Sequence, residues 1–184
     1  MTIGKRPETF GVASVVLHWL MLVLIVGVYA AIELREFWPK GSVPREGLKN
    51  LHFMLGLSVL ALVWFRIAAR LIWRVPSPVA GPQWRKLAAT ATHVALYLLM
   101  IAMPIAGWLI LSAEGKAIPF FGLELPPLTA SNDALAERTE ELHELGATLG
   151  YWLIGLHAAA SLFHHYILKD GLLFRMRLAR RPNV

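Results

Sequence analysis

The chain has 184 residues, of which 57% are hydrophobic, and its mean hydropathy of +0.54 is too high for an ordinary soluble domain. It contains no cysteine, which excludes disulfides, thiolate-bound zinc, cysteine-ligated iron–sulfur clusters, thiolate-ligated haem and covalent c-type haem. The formal net charge of +6 would suit nucleic-acid binding, but the placement of the basic residues, described below, points elsewhere.

Four apolar runs follow one another along the chain, at about residues 12–32, 52–73, 88–111 and 145–168. Each is about 20 residues long or slightly longer, which is the length of a helix that crosses a bilayer. The fourth helix is expected to start near residue 134, because Ser131-Asn132-Asp133 offers an N-cap before a Glu-rich stretch. Pro104 lies within the third run, where neighbouring helices can tolerate a kink. We therefore predict an all-α membrane protein in which residues 1–184 form one four-helix transmembrane domain.

The lysines and arginines are unequally divided between the two ends of these helices. One side carries Lys5, Arg6, Arg66, Arg70, Arg74, Arg85, Lys86, Lys169, Arg175, Arg177, Arg180 and Arg181, and the other carries Arg35, Lys40, Arg45, Lys49, Lys116 and Arg138. The positive-inside rule then predicts that both termini lie in the cytoplasm. Topology and contact with lipid headgroups account for the basic residues, so we expect no nucleic-acid binding.

Four histidines lie in or beside the apolar runs: His18, His52, His143 and His157. An imidazole at bilayer depth is costly unless it faces the bundle interior and has a partner, so each is a candidate functional residue. In the predicted topology, His18 and His157 fall in the inner half of the bilayer, and His52 and His143 fall at its outer side. This sorting predicts two haem b groups, each held by one pair of histidines. Hydrogen-bonded polar side chains are the alternative, whereas one tetrahedral zinc site would need the two pairs to lie closer together.

The spacing of His143 and His157 supports a shared core face, because residues 14 apart are roughly 21 Å apart along a helix and about 40° off a common face. Gly150 lies midway between them, and Gly146 and Gly56 lie one turn from His143 and His52. These glycines predict either room for a flat macrocycle against the helix backbone or ordinary close helix packing.

Further polar residues lie near the inner ends of the helices. Arg66 is expected to contact a haem propionate or a quinone, although snorkelling to headgroups would also explain an arginine there. His164 is a candidate proton-exchanging residue at a quinone site, with interfacial anchoring as the alternative for both His164 and His165. His93 is expected to be a hydrogen-bonded interior residue or a spare ligand.

Several segments resemble the bacterial cytochrome b561 family, and within it the superoxide oxidase subgroup. They are Leu17-His18-Trp19, Glu33–Lys40, His52-Phe53-Met54-Leu55-Gly56, Gly150–Ala160, His164-His165-Tyr166 and Lys169-Asp170. The resemblance covers nearly the whole chain and implies haem ligation by the four histidines named above. It also implies a protein of the bacterial inner membrane that oxidises superoxide to dioxygen at the periplasmic side and passes the electrons through two haems to ubiquinone.

An anionic substrate would need positive charge near the outer haem, and the candidates for steering superoxide are Lys40, Arg45, Lys49 and Lys116. The outer side carries more acidic than basic residues, so any cationic funnel has to be local. The alternative function is an electron-transfer subunit that anchors a partner such as a hydrogenase or a dehydrogenase, with the acidic stretch Glu137–Glu144 as a docking surface for a basic protein. A third class is a haem or metal sensor or transporter.

Overall fold

A computed structural model describes residues 9–73, 76–77 and 81–177. Its four long helices are α1 (Val12–Leu34), α2 (Val43–Ile72), α3 (Gln83–Ala113) and α4 (Asp133–Phe163), and α4 continues into a π-helical turn (His164–Leu168). Short 3₁₀ turns cover Arg35–Phe37 and Leu173–Met176. All four helices are long and apolar enough to cross a membrane, which confirms the predicted four-helix transmembrane fold.

The helices are longer than the apolar runs from which they were predicted. The second helix begins at Val43 rather than near residue 52, where Ser42 is the N-cap and Pro44 lies in the first turn. The third begins at Gln83 rather than near residue 88. Hydropathy marks only the part of a helix that lies in lipid, so it does not predict the polar turns beyond the apolar run. The start of α4 follows the predicted cap, because the Asn132 side chain accepts a hydrogen bond from the Leu135 N–H.

The helices run up and down in sequence order, and α1 with α2, α2 with α3 and α3 with α4 pack closely. The buried residues Met21, Val59, Val63 and Met100 form the core between α1, α2 and α3. Large apolar side chains such as Trp152, with 75% of its surface exposed, cover the outside of the bundle. Such a surface is stable only in contact with lipid.

A short β-hairpin lies between α3 and α4, at the end of the bundle predicted to be the outer one. Strands β1 (Ile118–Phe120) and β2 (Leu123–Leu125) are antiparallel, and Phe121 and Gly122 in the turn have φ values of 48° and 84°. Ile118 is 2% exposed and packs with buried residues of α2 and α3.

The last described residues, 171–177, form a C-terminal strap across the inner end. The Phe10 N–H donates to the Arg175 carbonyl at 3.2 Å, and the Trp19 indole N–H donates to the Met176 carbonyl at 3.1 Å. The Arg175 guanidinium donates to the Ser77 carbonyl at 2.6 Å. The strap therefore joins the start of α1 to the connector between α2 and α3. Five basic residues used in the topology prediction, Lys5, Arg6, Arg74, Arg180 and Arg181, lie outside the described residues.

Candidate functional site: two histidine pairs across the bundle

The four membrane histidines meet in two pairs. The ring centres of His52 and His143 are 6.3 Å apart with their planes at 75°, and those of His18 and His157 are 6.2 Å apart with their planes at 73°. Each pair joins α4 to α2 or α1, which are helices that α4 does not pack against as closely as it packs against α3. The pairs are those sorted by depth in the sequence, and their role as haem ligands stays a prediction.

The distance within each pair suits a metal ion between the two rings. A metal–imidazole bond is about 2 Å long and a ring nitrogen lies about 1 Å from the ring centre, so two rings on opposite sides of one ion have centres about 6 Å apart. Direct van der Waals packing does not require this separation in both pairs. The donor set of two imidazoles without thiolate suits b-type haem iron.

In the outer pair, one hydrogen bond fixes the tautomer of His52. A carbonyl oxygen only accepts, so the 2.9 Å contact between His52 Nδ1 and the Val28 carbonyl places the His52 proton on Nδ1 and leaves the Nε2 lone pair free. The Nδ1 atom of His143 is buried beside the Met103 backbone and makes no well-formed hydrogen bond within the described part of the chain. Both rings line a mainly apolar cavity of about 400 Å³, which is within the size range of cofactor sites.

The inner pair is engaged by Arg66. One guanidinium nitrogen lies 3.1 Å from His18 Nδ1, and another donates to the Ser14 carbonyl at 3.4 Å. Guanidinium only donates, so His18 Nδ1 is the acceptor and the neutral ring carries its proton on Nε2. A metal bound at Nε2 needs that proton to be on Nδ1 instead. Ligation through His18 Nε2 therefore requires Arg66 to leave Nδ1.

His93, which the sequence predicted to be a hydrogen-bonded interior residue or a spare ligand, lies beside the inner pair. Its ring centre lies 5.4 Å from that of His157. The separation is shorter than the 6.2 Å between His18 and His157, so His93 fits the metal-bridged distance less well. A third imidazole therefore lies beside His157, a contact that sequence spacing alone does not reveal.

The glycines differ in the space that they leave. A Cβ atom at Gly56 would meet nothing within 4 Å, and Gly56 lines the cavity of the outer pair. At Gly150 it would lie 2.1 Å from the Tyr29 hydroxyl, and at Gly146 it would lie 2.4 Å from the Met103 sulfur. Close helix packing therefore accounts for Gly150 and Gly146. Gly56, in contrast, leaves open space beside the outer histidines.

Two tyrosines, one on α1 and one on α4, meet at the wall of the cavity that the outer pair lines. Tyr29 donates a hydrogen bond to the Ala147 carbonyl at 3.0 Å, and its ring lies 4.3 Å from that of Tyr151. Tyr151 in turn donates to the Glu33 carboxylate at 2.8 Å. The cluster links α1 to α4 at the point where Gly150 leaves room for it.

The four basic residues expected to steer an anion have different surroundings. Arg45 is bound to both carboxylate oxygens of Glu36 at 3.0 and 3.1 Å, and Lys116 is paired with Glu114 at 3.0 Å. Lys40 lies on the exposed outer turn. Lys49 lies 5.9 Å from the centre of the Phe53 ring and lines the same cavity as His52, so it is the residue of this group that faces the outer pair.

At the inner end, the expected quinone residue His164 is hydrogen-bonded to Asp170, a residue for which the sequence predicted no role. His165 packs instead against the rings of Tyr166 and Phe174. Asp170 lies six residues after His164 in the sequence. This spacing brings the two side chains together only because the chain reverses direction sharply between them.

Comparisons with known proteins identify the family. A model of the prokaryotic cytochrome b561 family matches residues 9–177. Cytochrome b561 homolog 1 of Escherichia coli K12 is 35% identical over 173 residues, which are 94% of this chain and 98% of that protein. The probable superoxide oxidase of Yersinia pestis is 39% identical over 168 residues, which are 90% of this chain and 93% of that protein. Cytochrome b561 homolog 2 of Escherichia coli K12 is 35% identical over 182 residues, which are 96% of this chain and 95% of that protein. A family match over most of the chain, with four membrane-spanning helices, shows that the chain belongs to the prokaryotic cytochrome b561 family of membrane haem b electron-transfer proteins.

Proposed function

We propose that the chain is a di-haem cytochrome b that oxidises superoxide to dioxygen at its outer face and reduces ubiquinone. The observation that carries the proposal is that four histidines form two imidazole pairs. In each pair the ring centres are about 6 Å apart, which is the distance between two rings that bind one metal ion from opposite sides. The 39% identity to a protein named probable superoxide oxidase supports the choice of substrate.

The residues divide the work between two sites. His52 and His143 would hold the outer haem, and His18 and His157 the inner one. When bound, haem b supplies a one-electron carrier in each half of the bundle. Arg66, displaced from His18 Nδ1, would be available to pair with a propionate or with the quinone.

The reaction balances without a further reactant. Two superoxide anions each lose one electron and leave as dioxygen, while one ubiquinone takes two electrons and two protons to become ubiquinol. Lys49 would attract the anion to the outer cavity, which both Lys49 and His52 line. His164 would exchange protons with the quinone, because an imidazole titrates near neutral pH.

The orientation in the membrane follows from charge. The basic residues at the end of the bundle where the described part of the chain begins, at residue 9, and ends, at residue 177, include Arg70, Arg85, Lys86, Arg175 and Arg177. The positive-inside rule assigns that end to the cytoplasm, and the hairpin end to the periplasm of a bacterial inner membrane. Superoxide would then react on the periplasmic side.

The second candidate function is an electron-transfer subunit that links a partner enzyme to the quinone pool. The specific observation in its favour is a row of exposed carboxylates on the outer turns of α4, namely Glu137, Glu140, Glu141 and Glu144. Such a row suits docking of a basic redox partner.

Stopped-flow mixing of the purified holoprotein with superoxide separates the two functions. The proposal predicts haem reduction within milliseconds and reoxidation on addition of ubiquinone. Haem that ubiquinol reduces normally but superoxide leaves oxidised would refute the enzyme and support the subunit. Isolation from native membranes with a stoichiometric redox partner would support the subunit as well.

A further inference from the structure

The inner end of α4 holds a histidine–carboxylate pair. His164 Nδ1 is bound to Asp170 Oδ2, and the side chains are 24% and 17% exposed. A carboxylate only accepts hydrogen bonds, so His164 donates from Nδ1 and its Nε2 atom is left for another partner. This is the arrangement in which a carboxylate sets the tautomer and orientation of an imidazole that works through its other nitrogen.

The local backbone is built to hold this pair. The π-helical turn ends at Lys169, whose φ of 51° and ψ of 34° are left-handed, and Gly171 has φ 75°. The reversal allows the Asp170 N–H to donate to the His164 carbonyl at 3.4 Å. The Leu172 N–H donates to the second carboxylate oxygen, Oδ1, at 3.1 Å. Both oxygens of Asp170 are therefore engaged, and the carboxylate is fixed in place. π-Helical turns of this kind are frequent at functional sites.

The pair lies between the inner histidines and the aqueous phase. His164 is seven residues beyond His157, which corresponds to about 10 Å along the helix and about 20° around it. The surrounding surface of α4 is apolar, since Leu162, Phe163 and Tyr166 expose 50%, 49% and 66% of their surfaces. This apolar surface suits the approach of a lipid-soluble acceptor to His164, and Asp170 lies directly before the C-terminal strap.

The electrostatics keep Asp170 ionised at neutral pH. Burial raises the pKa of its carboxyl, but the hydrogen bonds from His164 and Leu172 and the nearby charge of Arg175 outweigh burial and hold the pKa below its ordinary value. A carboxylate beside an imidazole favours the imidazolium form. The Nδ1–H group of His164 is therefore hydrogen-bonded to a charged acceptor.

We infer that Asp170 is a positioning residue of the quinone site, which orients His164 through Nδ1 and returns a proton to it from the inner aqueous phase after each transfer from Nε2. The inference rests on the proposed function and names the source of the two protons that accompany two electrons onto ubiquinone. His164 donates a proton to a quinone oxygen, and water on the side of Asp170 restores it.

The test uses the holoprotein in nanodiscs with a short-chain ubiquinone. Asp170→Asn should keep its haem and its reduction by dithionite, but it should slow reoxidation by ubiquinone by about 10- to 100-fold. Its rate should also fall off at a lower pH than in the wild type, because the imidazolium loses its counter-charge. Asp170→Glu, which keeps a carboxylate, should recover part of the rate. His165→Gln is the matched control, since the neighbouring imidazole packs against Phe174 instead, and it should behave as the wild type.

A second readout does not depend on turnover. In protein labelled with ¹⁵N-histidine, the His164 signal should report a proton on Nδ1, and Asp170→Asn should lower the pH at which the ring becomes protonated. If Asp170→Asn changed the quinone rate without any shift of the pH profile, the role of Asp170 would be merely structural and the inference would be wrong. An unchanged quinone rate in Asp170→Asn would overturn the inference as well. If His164→Gln also left the quinone rate unchanged, the proposed inner quinone site itself would be wrong.

Discussion

Gly150 and Tyr29 make a packing contact whose energetic consequence can be worked out from the structure. Gly150→Ala places a Cβ atom 2.1 Å from the Tyr29 hydroxyl and 3.3 Å from Leu99, so Tyr29 has to move. Its hydroxyl then loses the hydrogen bond to Ala147, at about 1 kcal/mol, and the inserted methyl adds about 1–3 kcal/mol of overpacking. The gain in helix propensity offsets about 1 kcal/mol. We expect a net loss of about 1–3 kcal/mol.

The measurement is thermal unfolding of the holoprotein in detergent, where each kcal/mol corresponds to about 2–4 °C in Tm. Gly155→Ala is the control on the same helix, because a Cβ atom there would meet nothing within 4 Å, and it should be neutral or slightly stabilising. Tyr29→Phe should restore most of the stability of Gly150→Ala, since the nearest ring carbon is then 3.4 Å from the new Cβ. Equal stability of the two alanine variants, or additivity of Gly150→Ala with Tyr29→Phe, would refute the reasoning.

The remaining predictions concern charge, ligation and pH. Lys49→Gln should slow the reaction with superoxide by about 2- to 10-fold at low ionic strength and less in high salt, whereas Lys86→Gln at the inner end should not; equal effects in stopped-flow traces would remove the steering role. His93→Gln should retain the haem content of the wild type, measured as haem per protein, and loss of one haem would make His93 a ligand. Because the folded pKa of Asp170 is depressed, its contribution to stability is complete above about pH 4 and is lost as the pH falls through the folded value. Hydrogen exchange in residues 171–177 should therefore accelerate in acid in the wild type but show no such acid transition in Asp170→Asn.

The helical spans could be predicted from the sequence because lipid imposes a strong rule on composition. A continuous apolar run of bilayer length has to be helical, and polar groups within it have to face inward. This rule located the four spans, and depth within them in the predicted topology sorted His18 with His157 and His52 with His143. It said nothing about the turns outside lipid, so the start of α2 at Val43 was missed.

The rest of the site depends on contacts that distance in sequence does not encode. Arg66 meets His18 across 48 positions, and the approach of His93 to His157 depends on the rotation of α3 against α4. The pairing of His164 with Asp170 needs a left-handed residue at Lys169, a conformation that no strong sequence preference announces. The hairpin at 118–125 was missed because its strands are only three residues long.

The central claim is that two imidazole pairs hold two haems, and haem content tests it most directly. The visible spectrum and the haem-to-protein ratio of the fully loaded protein should show two b-type haems per chain, with one lost in His143→Ala and the other in His18→Ala. A colourless protein, a ratio of one in the wild type, or a double variant of His18 and His52 that still holds one intact bis-histidine haem would contradict the account.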